Sequence, residues 1–163
     1  MGRKMEIQVD ILNEYKRWID CASDEEIKQE LALMKDNFEE INESFYKELD
    51  FGTSGMRGIL GAGTNRLNTY VLRRSNLALA SHINKNCASK SVVISYDSRK
   101  NSSRFAREPA ALMSAMGIKA YLFSELTPVP VLVYAITKLS CDYGIMITAS
   151  HNPAVYNGYK VYG

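Results

Sequence analysis

The chain has 163 residues, 46% hydrophobic and 23% charged, with ten glycines, four prolines and a formal net charge of +2, a make-up that fits one soluble globular domain and excludes disordered and collagen-like classes. About 160 residues cover roughly two-thirds of the surface an unfolded chain exposes, so neither metals nor disulfides are needed to fold it. The charge is uneven: residues 1–50 hold seven Lys+Arg against fourteen Asp+Glu, and residues 51–163 hold thirteen against four, which predicts an acidic first third and positive potential for an anionic partner in the remainder.

Ile11, Leu12, Tyr15, Trp18 and Ile19 recur at three- and four-residue spacings, the pattern of an amphipathic helix with one buried stripe. Ser23 with Glu26 reads as a capping box that opens a second helix, in which Ile27, Leu31, Met34, Phe38 and Ile41 keep the period on an acidic background. Residues 1–48 are therefore expected to form a helical N-terminal arm. Leu49–Gly63 carries Gly52, Gly55, Gly58, Gly61 and Gly63, too many flexible positions for a helix, and reads as a loop. Asn68 caps a third helix with Leu72, Leu79 and Ile83 on its apolar face, ending near the polar stretch Asn84–Lys90.

Ser91–Tyr96 reads as a buried strand, followed by a loop at Asp97–Ser103 and a helix with Phe105, Ala106, Leu112, Met113 and Met116 that Gly117 stops. Pro109 conflicts with that helix; an interior proline costs about 3 kcal/mol, which predicts a kink or a helix that begins at Pro109. Lys119–Phe123 is a second strand, the corner Thr127-Pro128-Val129-Pro130 leads into a short helix to Leu139, and Gly144–Thr148 is a third, wholly apolar strand. Helices alternating with short apolar strands give an α/β fold: a layered α/β/α domain over residues 49–163 with a mostly parallel mixed sheet.

Cys21, Cys87 and Cys141 are odd in number, far apart and form no C-x-x-C pair, which argues against a disulfide framework or structural zinc and for reduced, buried thiols in a cytoplasmic protein. No apolar run approaches the ~18 residues of a membrane span, and residues 1–10 hold no signal region. Basic residues (Arg57, Arg66, Arg73, Arg74, Arg99, Lys100, Arg104, Arg107) are scattered over separate segments, unlike the stripe with interleaved aromatics that binds nucleic acid.

Ligands of such sheets bind beyond the carboxyl ends of strands. The loop after the third strand reads Thr148-Ala149-Ser150-His151-Asn152-Pro153 and places two reactive side chains, Ser150 and His151, side by side before a proline that stiffens the backbone. From composition alone it is equally well an ordinary turn. Rival motifs are missing: no G-x-S-x-G surrounds Ser150, no G-K-[ST] follows the glycines at 52–63, and Gly61-Ala62-Gly63 lacks the third glycine of a dinucleotide fingerprint. There is no D-x-D-x-D or H-E-x-x-H cluster, and His82 falls on a helix as ordinary packing.

Thr148–Pro153 followed by Tyr156-Asn157-Gly158-Tyr159-Lys160 resembles the phosphoserine loop of the α-D-phosphohexomutases, the phosphoglucomutase and phosphomannomutase superfamily. Phe51-Gly52-Thr53-Ser54-Gly55-Met56-Arg57-Gly58 is similar to that family's N-terminal signature, and Tyr96-Asp97-Ser98-Arg99 and Leu126-Thr127-Pro128-Val129-Pro130 to two further landmarks, in the same order. The acidic arm is most like the phosphoglucomutase/phosphopentomutase branch. The resemblance implies that Ser150 carries a phosphoryl group, hands it to a sugar monophosphate and recovers one from the bisphosphate, so that a sugar 1-phosphate and a 6-phosphate (or pentose 1- and 5-phosphates) interconvert. It further implies that Arg57 and Lys160 stabilise the transferring group, that Lys160 exchanges a proton with the sugar hydroxyl, and that His151 lies beside the same phosphate.

Relatives of this family have four domains and use Mg²⁺ and a sugar 1,6-bisphosphate activator, with the metal-binding aspartates, sugar-selecting loop and distal phosphate loop in later domains. The resemblance thus implies a first domain, unfinished at Gly163, whose partners are sugar phosphates and the remaining domains of the same polypeptide. Ser150 would contribute one metal ligand through its phosphate, and the chain alone would turn over negligibly and self-associate through uncovered surface. The alternative from a different class is a non-catalytic phosphosugar-binding or regulatory module that keeps the loop without the other domains. A serine hydrolase or a kinase fits poorly, for want of an elbow or a P-loop.

Overall fold

The computed structural model describes residues 2–53 and 55–163, with side chains from Gln8 onward. Ser54, part of the glycine-rich signature, lies outside the described residues. Helix α1 (Gly2–Cys21) buries Ile11, Tyr15 and Trp18 at the expected spacing, while Ile19 points outward.

The second predicted helix is two. Helix α2 (Glu25–Leu33) ends at Met34, and α3 (Phe38–Phe45) starts after Asn37, whose side chain accepts the Glu40 N–H. The apolar period survives across the break because both helices face α1, yet Phe38, expected inside, is exposed. The cap of α2 is also not Ser23: Asp24 accepts the N–H groups of Glu26 and Ile27, and the backbone N–H of Ser23 donates instead to Tyr70 Oη at 2.7 Å. The helix begins one residue later than a Ser23 cap requires, so the Asp24 carboxylate stands where it satisfies two free donors and Ser23 lies outside the cap.

Trp18 packs edge-on against Phe45 (5.6 Å between centroids) and Tyr70 (5.3 Å), joining the arm to the rest of the chain. Arg104 pairs with Asp24 at 2.6 Å and Glu26 at 2.8 Å, and Glu30 accepts the Ala62 N–H at 2.6 Å. Some of the acidity of the first third is thus answered inside the molecule.

Residues expected to be a loop form two strands, β1 (Phe51–Gly52) and β2 (Gly55–Ile59). Their glycines serve close backbone approach as well as flexibility: a Cβ on Gly55, which has φ +91°, would lie 2.5 Å from the Tyr159 carbonyl oxygen. Helix α4 (Thr69–Asn86) begins at Asn68, whose side chain accepts the Val71 N–H as predicted. Strand β3 (Ser91–Tyr96), helix α5 (Ser102–Ala115), strand β4 (Lys119–Leu122), helix α6 (Val129–Lys138) and strand β5 (Tyr143–Ile147) follow the expected order. Helix α5 does not begin at Pro109 but runs through it, with the proline buried in the packed face.

The last strand, β6 (Tyr156–Tyr162), has no counterpart in the pattern reading. It enters between β2 and β5, antiparallel to both, and gives the sheet order β1-β2-β6-β5-β3-β4. Parallel pairing is confined to β4-β3-β5, so the sheet is mixed, with two parallel and three antiparallel pairings. Helices α4 and α5 cover one face through Val92, Ile94, Ile145, Ile147 and Tyr159, and α6 covers the other through Val93 and Met146, which completes the α/β/α layering. Of the cysteines only Cys141 is buried; Cys87 is half-buried and Cys21 exposed, contrary to expectation, because Cys21 closes α1 on its outer side. No helix among the described residues is long and apolar enough to cross a membrane.

Leu31, 1% exposed, sits at the centre of the arm's core. Leu31→Ala is expected to cost about 2–5 kcal/mol, read as an earlier denaturant transition of the single tryptophan, Trp18. A shift smaller than about 0.5 kcal/mol would contradict a packed arm.

Candidate functional site

Strands β3 and β5 are parallel, so their carboxyl ends open at one edge of the sheet, and β2 runs the same way as β5 because both are antiparallel to β6. Three segments meet there: the Asp97–Asn101 turn after β3, the 148–155 loop after β5, and the side chains of β2 and β6. Met56 and Tyr159 face α4, so by strand alternation Arg57 and Lys160 share the opposite face, the one on which α6 lies.

Arg57 stands opposite Gly158 in the β2–β6 ladder. The missing side chain is what lets it lie across β6, since a Cβ at Gly158 would come within 3.3 Å of Arg57 Cγ and 2.5 Å of the Thr148 carbonyl oxygen. Arg57 Nη1 donates to Asn152 Oδ1 at 3.0 Å, two residues from Ser150, and its buried Nε has no hydrogen-bond partner among the described residues. Lys160, half-buried, is close enough to feel the Arg57 charge. Burial first and then that like charge push its ammonium below the usual lysine range. Neither side chain forms an ion pair among the described residues, whereas Arg73, Arg74 and Arg104 are each bound to a carboxylate. Two unanswered cations on one face are a place for an anion.

Ser150 is exposed, at the tip of the loop, and adopts a left-handed backbone with φ 59°. Such a conformation costs a non-glycine residue on the order of 1 kcal/mol and persists only where surrounding bonds hold it. They do so here: the Ser150 N–H donates to Thr148 Oγ1 at 2.9 Å, the Asn152 N–H to the Ala149 carbonyl at 3.1 Å, and the Thr148 N–H to the Gly158 carbonyl at 3.0 Å. The left-handed region is shared with Lys90, Asn101 and Ser140, so it marks a turn rather than chemistry by itself. His151 is exposed beside Ser150 and takes no part in the hydrogen bonds that fix the loop.

The structure therefore brings Arg57, Lys160 and the loop of Ser150 to one edge, and leaves His151 on the outside of that loop. His82 lies away from it, on α4, with Nε2 3.1 Å from Tyr143 Oη. Sequence reasoning gave no role to Asn152 or to Arg99. Arg99 donates to backbone carbonyls of the loop, including that of Ser150 at 2.8 Å. The only signal in the sequence was its place just after β3, whose neighbour β5 leads into the loop. No group of three or more His, Cys, Asp and Glu side chains that could hold a metal occurs among the described residues. Mg²⁺ prefers about six oxygen ligands; the residues here do not supply such a site.

These features define a layered α/β domain that presents a rigid serine loop beside paired cations at the carboxyl edge of its sheet. The family described as phosphoglucomutase/phosphomannomutase, alpha/beta/alpha domain I, matches residues 48–163. A phosphoglucomutase of Staphylococcus haemolyticus is 45% identical over 121 residues, covering 74% of this chain and 22% of that protein. One from Staphylococcus epidermidis is 39% identical over 151 residues, covering 90% and 26% respectively. A crystal structure of a Thermus thermophilus protein assigned as a phosphomannomutase superposes with a TM-score of 0.65 at 32% identity, covering 71% of this chain and 25% of that one. The chain belongs to the phosphoglucomutase/phosphomannomutase family, the α-D-phosphohexomutases, and contains its N-terminal domain. It spans about a quarter of the length of the curated relatives it matches.

The depressed Lys160 makes two predictions. Its charged form is disfavoured on folding, so its contribution penalises stability below its folded pKa and is relieved as pH rises towards the ordinary lysine value. Arg57→Gln removes the like charge and should raise the Lys160 pKa, measured by NMR of ¹³C-dimethylated lysines; an unchanged titration would show that the two cations do not interact.

Proposed function

We propose that this chain is the phosphoserine domain of a phosphosugar mutase. The observation that carries the reading is the pair of unanswered cations, Arg57 and Lys160, beside a serine that its loop holds exposed in one conformation. Residues 1–48 serve as a docked helical arm and residues 49–163 as the phosphoryl-carrying domain. The substrates are hexose or pentose phosphates, and the other partners are the remaining domains of the same polypeptide.

Phosphoryl transfer asks little covalent work of a protein and much positioning and charge neutralisation. A sugar-phosphate hydroxyl oxygen forms a bond to phosphorus as the phosphorus–Oγ bond of Ser150 breaks. Lys160 in its neutral form accepts the hydroxyl proton and returns one to Ser150 Oγ, a task that a lowered lysine pKa favours. Arg57 holds the equatorial oxygens, with its fork kept in place by Asn152. His151 contacts the same phosphate from the solvent side. The second half-reaction is the reverse, drawing a phosphoryl group from the other end of the sugar bisphosphate, which also primes Ser150. Mg²⁺ is the cofactor of the whole protein, with ligands other than the Ser150 phosphate drawn from outside this chain, and turnover belongs to that whole protein acting in the cytoplasm.

The test is kinetic, in the full-length polypeptide that carries this domain. Ser150→Ala should abolish conversion of glucose 1-phosphate, and Arg57→Gln should lower kcat by roughly 10²–10³-fold, the usual loss for one transition-state donor. Wild-type turnover by Ser150→Ala would refute the proposal.

A further inference from the structure

We infer that Arg99 is the positioning residue of this site, holding Ser150 in its left-handed conformation through the loop backbone and never through substrate; the catalytic consequence rests on the phosphoserine reading above. A guanidinium has five N–H donors in a fixed fork. Here Nη2 donates to the carbonyl oxygens of Ser150 at 2.8 Å and Asn152 at 2.5 Å, and Nη1 to those of Pro153 and Tyr156, both at 3.0 Å. Nε faces Asp97 Oδ2 at 3.5 Å. Every donor of Arg99 is turned to the protein, so its charge is not offered to a phosphate. Arg57, with an unpartnered Nε, is in the opposite condition.

The four carbonyls that converge on one cation come from Ser150, Asn152, Pro153 and Tyr156, so a single side chain ties the tip of the loop to the first residue of β6. Ser150 is held from both sides: its N–H by Thr148 Oγ1 and its carbonyl by Arg99. Arg99 is anchored in turn. Asp97 Oδ1 accepts the Arg99 N–H at 3.0 Å and the Ser102 hydroxyl at 2.7 Å. The fully buried Asn157 donates through its side-chain amide to that Ser102 oxygen at 2.9 Å and accepts the Gly158 N–H on its Oδ1 at 2.8 Å. The start of α5, the loop and the start of β6 thus form one hydrogen-bonded unit with Arg99 at its centre. Lysine cannot replace it, because three donors on one nitrogen cannot reach four carbonyls spread along a loop.

The test uses the full-length protein with Arg99→Met, Arg99→Lys and Arg99→Ala, and begins with a readout independent of activity. Hydrogen–deuterium exchange of peptides spanning residues 148–158 should become about tenfold faster or more in Arg99→Met and Arg99→Lys, while peptides of α4 and β3 keep their protection. With the loop loosened, kcat should fall ~10- to 100-fold, with KM for the sugar phosphate within about twofold. Added guanidinium should recover part of kcat in Arg99→Ala, where methylammonium should not. Wild-type exchange of the loop in both Arg99→Met and Arg99→Lys would overturn the inference, as would a loss of kcat that follows the thermal midpoint and ignores guanidinium. Faster loop exchange in a protein whose wild type has no mutase activity would support the clamp and refute the phosphosugar reading instead.

Discussion

The site exists because β6 fits between β2 and β5, and that fit depends on the close approach at Gly158. A methyl group there would lie 2.5 Å from the Thr148 carbonyl on one side and 2.7 Å from the Met56 carbonyl on the other, both backbone atoms that cannot give way alone. With glycine in place, three strands come together over a few residues. Arg57 from β2 then reaches the loop that leaves β5, and Lys160 follows two residues later on the face they share. The serine loop is thereby the link between β5 and β6 and is short enough to be held rigid from both ends.

The basic residues differ in what answers their charge. The chain has more basic than acidic residues after position 50, but Arg73, Arg74 and Arg104 are answered by Glu108, Glu48 and the Asp24–Glu26 pair of the arm. Arg99 is bound to carbonyl oxygens. The arm and Glu108 of α5 thus neutralise basic residues away from the sheet edge, whereas no carboxylate among the described residues pairs with Arg57 or Lys160 where the loop passes. The exposed pairs among these, such as Arg104 with Glu26, contribute at most about 1 kcal/mol each, so packing of Trp18, Phe45 and Tyr70 does more to hold the arm in place.

Much of this was legible in the sequence, for identifiable reasons. Apolar period and chemistry at Asn68, Gly117 and Pro128 located α4, α5, α6, β3, β4 and β5, because each signal there is local. What failed was not local. The glycines at 52–58 read as loop because what they serve is not local: Gly55 makes its close approach to Tyr159 of β6, about a hundred positions away, and Gly58 to Leu49 and Leu67. Strand β6 was missed because Asn157, Gly158 and Lys160 interrupt the strand-favouring Tyr156, Tyr159, Val161 and Tyr162, and the pairing on both sides overrides that interruption. The break between α2 and α3 preserved the helical period and so left no trace in it. At the site, the motif resemblance pointed to Arg57 and Lys160, which the structure brings together. The part played by Arg99 is carried by its backbone contacts, which side-chain chemistry alone does not announce.

Everything proposed for the site stands on Ser150 carrying the phosphoryl group between sugar positions. That is read most directly by peptide-level mass spectrometry of the full-length protein before and after incubation with glucose 1,6-bisphosphate and Mg²⁺. A single phosphoryl group is expected, on Ser150, and it should be discharged when excess sugar monophosphate is added. Phosphorylation of a different residue with Ser150 bare, in a protein that turns over, would contradict the proposal.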